Sequence, residues 1–278
     1  FIILKNQSTK KILKIIGSAF LGAVGGFGFM MLIDNISKDM NLNVFPILAI
    51  IILTFYISIA LHELGHFFAF IFNKIQMRML NISIFSFIFD GEKWRLKLNR
   101  NNIGVGGIAI PNLTVVSNEK EFKETQEGYA NAILAAPIVT LFLALVGILV
   151  IFIGFLKYNK NHPYLLITGG TLLLINILLF FSCFIKSENA YGDLRAYSFY
   201  KNDDFFAALM IYQYSMFSID YKNTRVNNRC LREILLKSFE KRANDKKTDL
   251  FTISCATTFI DEYLIGIMDE LPKSIIAV

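Results

Sequence analysis

The chain has 278 residues, a net charge of +6 and a hydrophobic share of 54%. Its mean hydropathy of +0.50 is too high for an ordinary soluble domain, so lipid must form part of its surroundings. No cluster of basic residues with interleaved aromatic residues occurs, which argues against a nucleic-acid partner. The three cysteines lack the spacing of a zinc ribbon or a disulfide framework, so we expect them to be reduced packing residues.

Four apolar stretches are long enough to cross a bilayer as helices, since one crossing takes about 20 residues. They are residues 12–33, 44–72, 130–156 and 163–185. Lys and Arg are concentrated before the first stretch and between the second and the third, whereas the other connections carry few. The positive-inside rule therefore predicts that both termini and the long middle segment are cytoplasmic.

The segment between the second and third stretches has the pattern of a β-hairpin. Residues 93–98 alternate polar and apolar side chains, and Asp90-Gly91 ahead of them is a turn signal that follows an apolar strand at Asn81–Phe89. The glycine-rich residues 104–111 then indicate a flexible or close-packed loop. We predict a small membrane-associated β-hairpin region over about residues 81–111.

The composition becomes that of a soluble protein from residue 186 onward. Amphipathic helices are predicted near residues 203–219, 230–243 and 249–271. Because no metal-binding or nucleophile spacing occurs after Lys201, we expect the region beyond that residue to regulate or recruit, or only to cap the membrane domain. The predicted fold class is mainly α, a polytopic membrane protein with a transmembrane domain over residues 1–195 and a cytoplasmic helical region over residues 196–278.

The strongest chemical signal is His62-Glu63-Leu64-Gly65-His66 in the second predicted span. Residues four apart lie on one face of a helix, so His62 and His66 can both point an imidazole at one metal ion. Two neutral imidazoles suit Zn²⁺, and Glu63 beside the open coordination position can act as general base and then as general acid. At 1.5 Å per residue His62 lies about 18 Å below Lys74, which predicts a metal inside the membrane, in its cytoplasmic half.

A catalytic zinc usually has three protein ligands, so a third ligand is expected. His162 is the remaining histidine, and it precedes the fourth span on the opposite side of the membrane. Glu188 and Asp193 follow that span on the cytoplasmic side. We favour Asp193 as the third ligand, because Gly192 beside it lets the backbone approach a site closely. Two alternatives stay open: Glu188 is the ligand, or Asp193 is a solvated acid that binds no metal.

With these residues the chain resembles the site-2 proteases, which are intramembrane zinc metalloproteases. The likeness rests on His62–His66 late in a membrane helix, on Asn131–Pro137, which is similar to the Ala-Gly-Pro segment opening the family's next helix, and on Asp193. The family's metal aspartate belongs to an Asn-x-x-Pro-x-x-x-x-Asp-Gly motif. This chain has Gly192-Asp193 and no proline nearby, and Asn189 is the candidate for the asparagine's role.

The resemblance implies a zinc endopeptidase of a bacterial cell membrane, whose partners are the lipid bilayer and a membrane-embedded or membrane-associated peptide substrate. It also implies that the substrate binds in extended form against a strand, supplied by Asn81–Phe89 or Gly104–Pro111. A hairpin that packs on the membrane surface through Trp94 is the alternative for this element. For the whole protein, the alternative is a non-catalytic membrane peptide-binding or immunity protein with a structural metal site, which the intact Glu63 disfavours.

Overall fold

A computed structural model describes residues 43–98, 106–113, 115–158, 163–185, 191–245 and 249–276. The first predicted span, residues 12–33, lies outside the described residues, and so do His162, Glu188 and Asn189. Within the described residues the protein is mostly helical with one small antiparallel sheet, as the predicted fold class requires.

In the part of the chain that the structure describes, three helices are long and apolar enough to cross a membrane: α1 (Val44–Phe72), α2 (Glu119–Tyr158) and α3 (Pro163–Ser182). The bounds of α1 are those predicted. Helix α2 contains the predicted span 130–156, and a polar first part extends the helix back to Glu119. At its start the Asn118 side chain accepts a hydrogen bond from the backbone N–H of Glu121, and the Glu121 carboxylate accepts one from the backbone N–H of Ser117. The predicted end of the next span at residue 185 is too late, since α3 stops at Ser182.

The three long helices pack through glycine and expose most of their apolar side chains. A Cβ on Gly65 would lie 3.1 Å from the Ala136 Cα, so α1 and α2 are close there. A Cβ on Gly147 of α2 would lie 2.9 Å from the carbonyl oxygen of Gly169 in α3. Small residues at helix contacts and apolar residues facing outward are typical of helices in lipid, where burial of apolar surface does not drive association.

Four antiparallel strands lie between α1 and α2: β1 (Met77–Ile82), β2 (Phe85–Phe89), β3 (Trp94–Leu98) and β4 (Gly107–Pro111). Their order is β3-β2-β1-β4, which places β3 and β4 at the two edges. The predicted turn is present, and the Asp90 carboxylate accepts hydrogen bonds from the backbone N–H groups of Glu92 and Lys93. The prediction of one strand over Asn81–Phe89 is wrong, because the chain reverses at Ser83, whose φ is 53°.

Six shorter helices follow: α4 (Asp193–Asn202), α5 (Asp204–Gln213), α6 (Tyr221–Asn227), α7 (Arg229–Asn244), α8 (Leu250–Leu264) and α9 (Lys273–Ile276). The helix predicted over residues 203–219 ends at Gln213 and continues as a 3₁₀ turn over Tyr214–Phe217. The helix predicted over residues 249–271 ends at Leu264. Asp203 and Asp249 cap α5 and α8, each accepting a hydrogen bond from a backbone N–H in the first turn.

One buried apolar cluster joins the short helices to the long ones. It includes Phe70 of α1, Tyr129 of α2, Phe206 of α5 and Phe259 of α8. The Gln126 side chain of α2 adds a polar link, donating hydrogen bonds to the Tyr200 carbonyl (2.7 Å) and to Asp204 (3.0 Å). The short helices therefore pack against the ends of α1 and α2. The division of the chain at residue 195 into a transmembrane domain and a cytoplasmic region stays a prediction.

Candidate metal centre

The candidate metal ligands converge from two helices. His62 and His66 lie one turn apart on α1, and Asp193 opens α4. The Asp193 Oδ2 atom lies 3.1 Å from the His62 Nε2 and 3.6 Å from the His66 Nε2. One ligand atom from each residue lies within 4.8 Å of the others. The three residues can therefore reach a single ion.

The spacing of these atoms fits a tetrahedral zinc. Zinc bonds of about 2.0–2.1 Å to nitrogen or oxygen put neighbouring tetrahedral ligand atoms about 3.3 Å apart. The two measured separations, 3.1 and 3.6 Å, lie on either side of that value. Two imidazoles and one carboxylate form a known donor set for catalytic zinc, and three protein ligands leave a fourth position open. The residues present fit this ion.

Helix α2 fixes which imidazole nitrogen can bind a metal. The His66 Nδ1 lies 2.9 Å from the carbonyl oxygen of Ala132, which can only accept, so that nitrogen carries the proton. The His62 Nδ1 lies 2.7 Å from the Thr140 hydroxyl, which donates its own proton to the Ala136 carbonyl (3.0 Å) and so accepts from His62. Both Nε2 atoms are then free of protons and available as ligands.

Gly192 and the end of α3 position Asp193. The backbone N–H of Gly192 donates to the Ile185 carbonyl (2.9 Å), and the N–H of Leu194 donates to the Cys183 carbonyl (3.1 Å). A Cβ on Gly192 would collide with the Cys183 carbonyl, so only glycine allows this crossing. The predicted close approach at Gly192 is present, although the neighbour is the end of α3 rather than the metal.

The Asp193 carboxylate has the charge that a metal ligand requires. Burial raises its pKa, but whenever an imidazole binds a second proton, at Nε2, the hydrogen bond and positive charge of that ring lower the pKa more, so the pKa lies well below the ordinary aspartate value. The Cys183 thiol also donates to Asp193 Oδ2 across 3.6 Å. This carboxylate is therefore ionised at neutral pH.

Glu63 lies beside the three ligands and against the edge strand β4. Its side chain is only 8% exposed, and a Cβ on Gly107 would collide with the Glu63 Cγ. Glycine at the start of β4 therefore makes room for the carboxylate. Glu63 does not belong to the ligand group, which leaves its oxygens available for proton transfer.

A cavity of about 630 Å³ opens onto these residues. Its walls come from α1, α2, β4, α4, α5 and α8. The side chains that line it are mainly apolar outside the metal centre, among them Ile108, Ile133, Phe206, Met210 and Phe251. Sites that bind small molecules or peptide side chains have volumes of about 300–1,000 Å³, so this cavity is large enough for a substrate.

The sequence predicted four site residues that the structure places together: His62, Glu63, His66 and Asp193. It did not predict the groups that contact them, which are Thr140, the Ala132 carbonyl and Cys183. The Asn131–Pro137 segment was a partial signal, since Ala132 and Ala136 belong to it. Asn176 of α3 is fully buried and donates a hydrogen bond to Ser58 (2.9 Å), one helical turn before His62.

The family model of peptidase family M50 matches residues 50–275 of the chain. This match covers most of the sequence, and it includes both histidines, Glu63 and Asp193. The protein therefore belongs to peptidase family M50, the site-2 protease family, and is a metallopeptidase. Together with the three apolar helices, family membership makes it an integral membrane protein. Neither a curated protein nor a solved structure matches the chain.

Proposed function

We propose that this protein is an intramembrane zinc endopeptidase that hydrolyses peptide bonds of membrane-associated peptides or transmembrane segments. The proposal rests on one observation: His62, His66 and Asp193 lie close enough to bind one ion, and the buried Glu63 lies beside them. A carboxylate next to a three-ligand site is the arrangement that metal-assisted peptide hydrolysis needs.

Each residue of the site has a distinct role in this proposal. His62, His66 and Asp193 would hold Zn²⁺, which when bound supplies Lewis acidity and lowers the pKa of a coordinated water to about 7. Glu63 takes the proton of the attacking water and then delivers it to the leaving amine. Thr140 and the Ala132 carbonyl keep both imidazoles in the tautomer with a free Nε2.

Substrate would bind in extended form along β4. The peptide groups of a transmembrane helix are bonded within the helix, so a substrate must unwind before its backbone can be attacked. An edge strand can bond the freed backbone groups, and β4 is an edge strand that begins next to Glu63. The other predicted strand, Asn81–Phe89, covers the end of β1 and all of β2, which are the two inner strands of the described sheet. At the far edge, Trp94 of β3 packs on Phe67 of α1.

The proposal includes a multi-pass topology in a bacterial cell membrane with both termini in the cytoplasm. The distribution of Lys and Arg in the sequence supports this orientation. It places the metal in the cytoplasmic half of the bilayer and the short helices after Asp193 in the cytoplasm. The substrate would then be cleaved near the cytoplasmic leaflet.

A non-catalytic binding protein with a structural metal has less support. Burying a carboxylate is costly, and a structural site with complete ligands gains nothing from a buried acid beside it. Glu63 is such an acid.

The Glu63→Gln variant tests the proposal. We expect stoichiometric zinc and an unchanged fold, with cleavage lower by about 10²–10⁴-fold, because the ligands stay while proton transfer is lost. Zinc is measured by mass spectrometry of the purified protein, and cleavage by digestion of the unstructured protein β-casein in detergent. Glu124→Gln, at an exposed position of α2, is the matched control and should cleave normally. Equal cleavage by Glu63→Gln and wild type would refute the mechanism.

A further inference from the structure

Helices α5 and α8 build a large part of the cavity wall that does not belong to the membrane helices or the sheet. Four residues of α5 and three of α8 line it: Phe206, Leu209, Met210, Gln213, Leu250, Phe251 and Ser254. These helices contribute no residue to the candidate metal centre, and no residue pattern in them indicates chemistry. Their place in the cavity is therefore a finding of the structure.

We propose that α5 and α8 form the specificity wall of the substrate cleft, a subsite that accepts a large apolar or aromatic substrate side chain near the cleaved bond. The inference rests on the proposed function, because it names the substrate class of that same site. β4 would bond the substrate backbone, and the opposite wall would select its side chains.

The chemistry of the wall determines which side chain it accepts. Apart from Gln213 and Ser254, the α5 and α8 residues that line the cavity are aliphatic, aromatic or methionine. Leu250 remains 50% exposed at the cavity although it is apolar, so a substrate side chain could cover it. Met210 can adapt its flexible side chain to more than one shape. An apolar subsite of this kind favours large apolar residues over small or charged ones.

Polar contacts hold the two helices of the wall in a defined arrangement. The Gln213 side chain of α5 donates a hydrogen bond to Ser254 of α8 across 2.7 Å. At the N-terminal end of α5, the Arg242 guanidinium contacts Asp203 (3.5 Å) and Asp249, the residues that cap α5 and α8. These contacts join both ends of α5 to the first part of α8. Helices held in place in this way can discriminate between side chains, because a mobile wall would adjust to either.

The wall is also in contact with the chain segment that carries the third ligand. Tyr191, two residues before Asp193, stacks on Phe251 of α8 with ring centroids 5.3 Å apart. Phe251 packs in turn against Phe206 of α5 at 5.1 Å. A substrate side chain seated against this aromatic group would therefore lie close to the metal centre.

The test is a cleavage-site profile of full-length zinc-loaded protein acting on β-casein in detergent, with products identified by mass spectrometry. Wild type should prefer Phe, Leu or Met at one fixed position within a few residues of the cleaved bond. Ser254→Trp fills the wall and should reduce cleavage at those sites by about tenfold relative to sites with Gly, Ala or Ser there. Ile253→Trp, one residue away at an exposed position that does not line the cavity, is the matched control and should keep the wild-type profile.

A second variant keeps the inference testable if Ser254→Trp does not fold. Leu250→Ala changes a half-exposed side chain, so it should fold and bind zinc normally and still lower the preference for large apolar residues. An unchanged profile in Leu250→Ala, an equal loss at all sites in zinc-loaded Ser254→Trp, or a wild-type profile without apolar preference would each overturn the inference. Failure of the proposed function looks different, since wild type would then cleave no better than Glu63→Gln.

Discussion

His62 and His66 depend on α2 as much as on α1 for their chemistry. Each ring would be free to rotate and to carry its proton on either nitrogen without a second contact. The Ala132 carbonyl and the Thr140 hydroxyl remove that freedom, at 2.9 and 2.7 Å. Holding Nδ1 in this way fixes the direction of each imidazole. The histidine pair is thus prepared for a metal before one binds.

The identity of the third ligand is tested by two alanine variants. Asp193→Ala should lose stoichiometric zinc and cleavage, with an affinity lower by more than about 100-fold, because a direct ligand matters more than its supporting contacts. Glu188→Ala should keep both. Zinc per chain and β-casein cleavage are measured on each purified protein. The assignment is wrong if Asp193→Ala keeps zinc and activity while Glu188→Ala loses them.

The metal centre shows which residues a sequence can reveal. His62, Glu63 and His66 follow from one helical spacing, because the two histidines are neighbours in sequence and in space. Thr140 is 78 residues from His62, and a single hydroxyl in an apolar helix has no pattern of its own. Asp193 was reached through its place after the last span and through Gly192. Contacts that depend on how helices pack leave little trace in the sequence.

At the scale of elements, the crossing of residues 191–194 over the end of α3 decides where Asp193 stands. The chain passes so close to the carbonyl groups of Ser182 and Cys183 that a Cβ at position 192 has no room. Two backbone hydrogen bonds hold this crossing, from Gly192 to Ile185 and from Leu194 to Cys183. The position of the ligand is thus set by backbone contacts.

Substitution of Gly192 should affect the metal without touching a ligand. We expect Gly192→Ala to weaken zinc binding by about 10–100-fold, the range found when a supporting contact of a ligand is removed. Gly170→Ala in α3 is the control, since a Cβ there meets no described atom within 4 Å. It should leave zinc affinity unchanged. The zinc affinities of both variants are measured by competition with a chelator. Equal affinities for the two variants would contradict the role given to Gly192.

The elements were predicted to different degrees for physical reasons. α1 is a continuous apolar run with polar ends, so its bounds could be read from the sequence. The turn at Ser83 could not, because neither glycine nor proline marks it and its backbone N–H is bonded instead to the Gly106 carbonyl (2.9 Å). That bond comes from a segment 23 residues further along the chain. Tertiary contact there overrides the local pattern.

At the scale of the whole molecule, the short helices and the membrane helices share one buried apolar cluster. A buried arginine is central to the part after Asp193. Arg225 is 1% exposed, contacts Asp261 (3.4 Å) and Glu262 (3.6 Å), and lies over the Tyr221 ring at 4.4 Å. Its loss would leave the fully buried Glu262 without this partner.

Arg225→Ala tests whether the core is continuous. We expect a destabilisation of about 3–5 kcal/mol, the cost of leaving a buried charge unpaired. Trp94 is the single tryptophan, and it packs on Phe67 of α1, so its fluorescence reports on the sheet and the membrane domain. Thermal unfolding followed by fluorescence and by circular dichroism should shift together. A fluorescence transition that stays at the wild-type temperature would show separate units. Arg229→Ala, at an exposed position, is the control.

The position of the candidate ligands on α1 and α4 has a consequence for the stability of the chain. His66 and Asp193 are 127 positions apart, so an ion bound to both closes a loop that contains β1–β4, α2 and α3. Fixing two distant points removes conformational entropy from the unfolded chain, and an ion that binds the folded form alone stabilises it by mass action. The zinc would then be a reversible cross-link, and a chelator would lower the melting temperature of the protein as well as its hydrolytic rate.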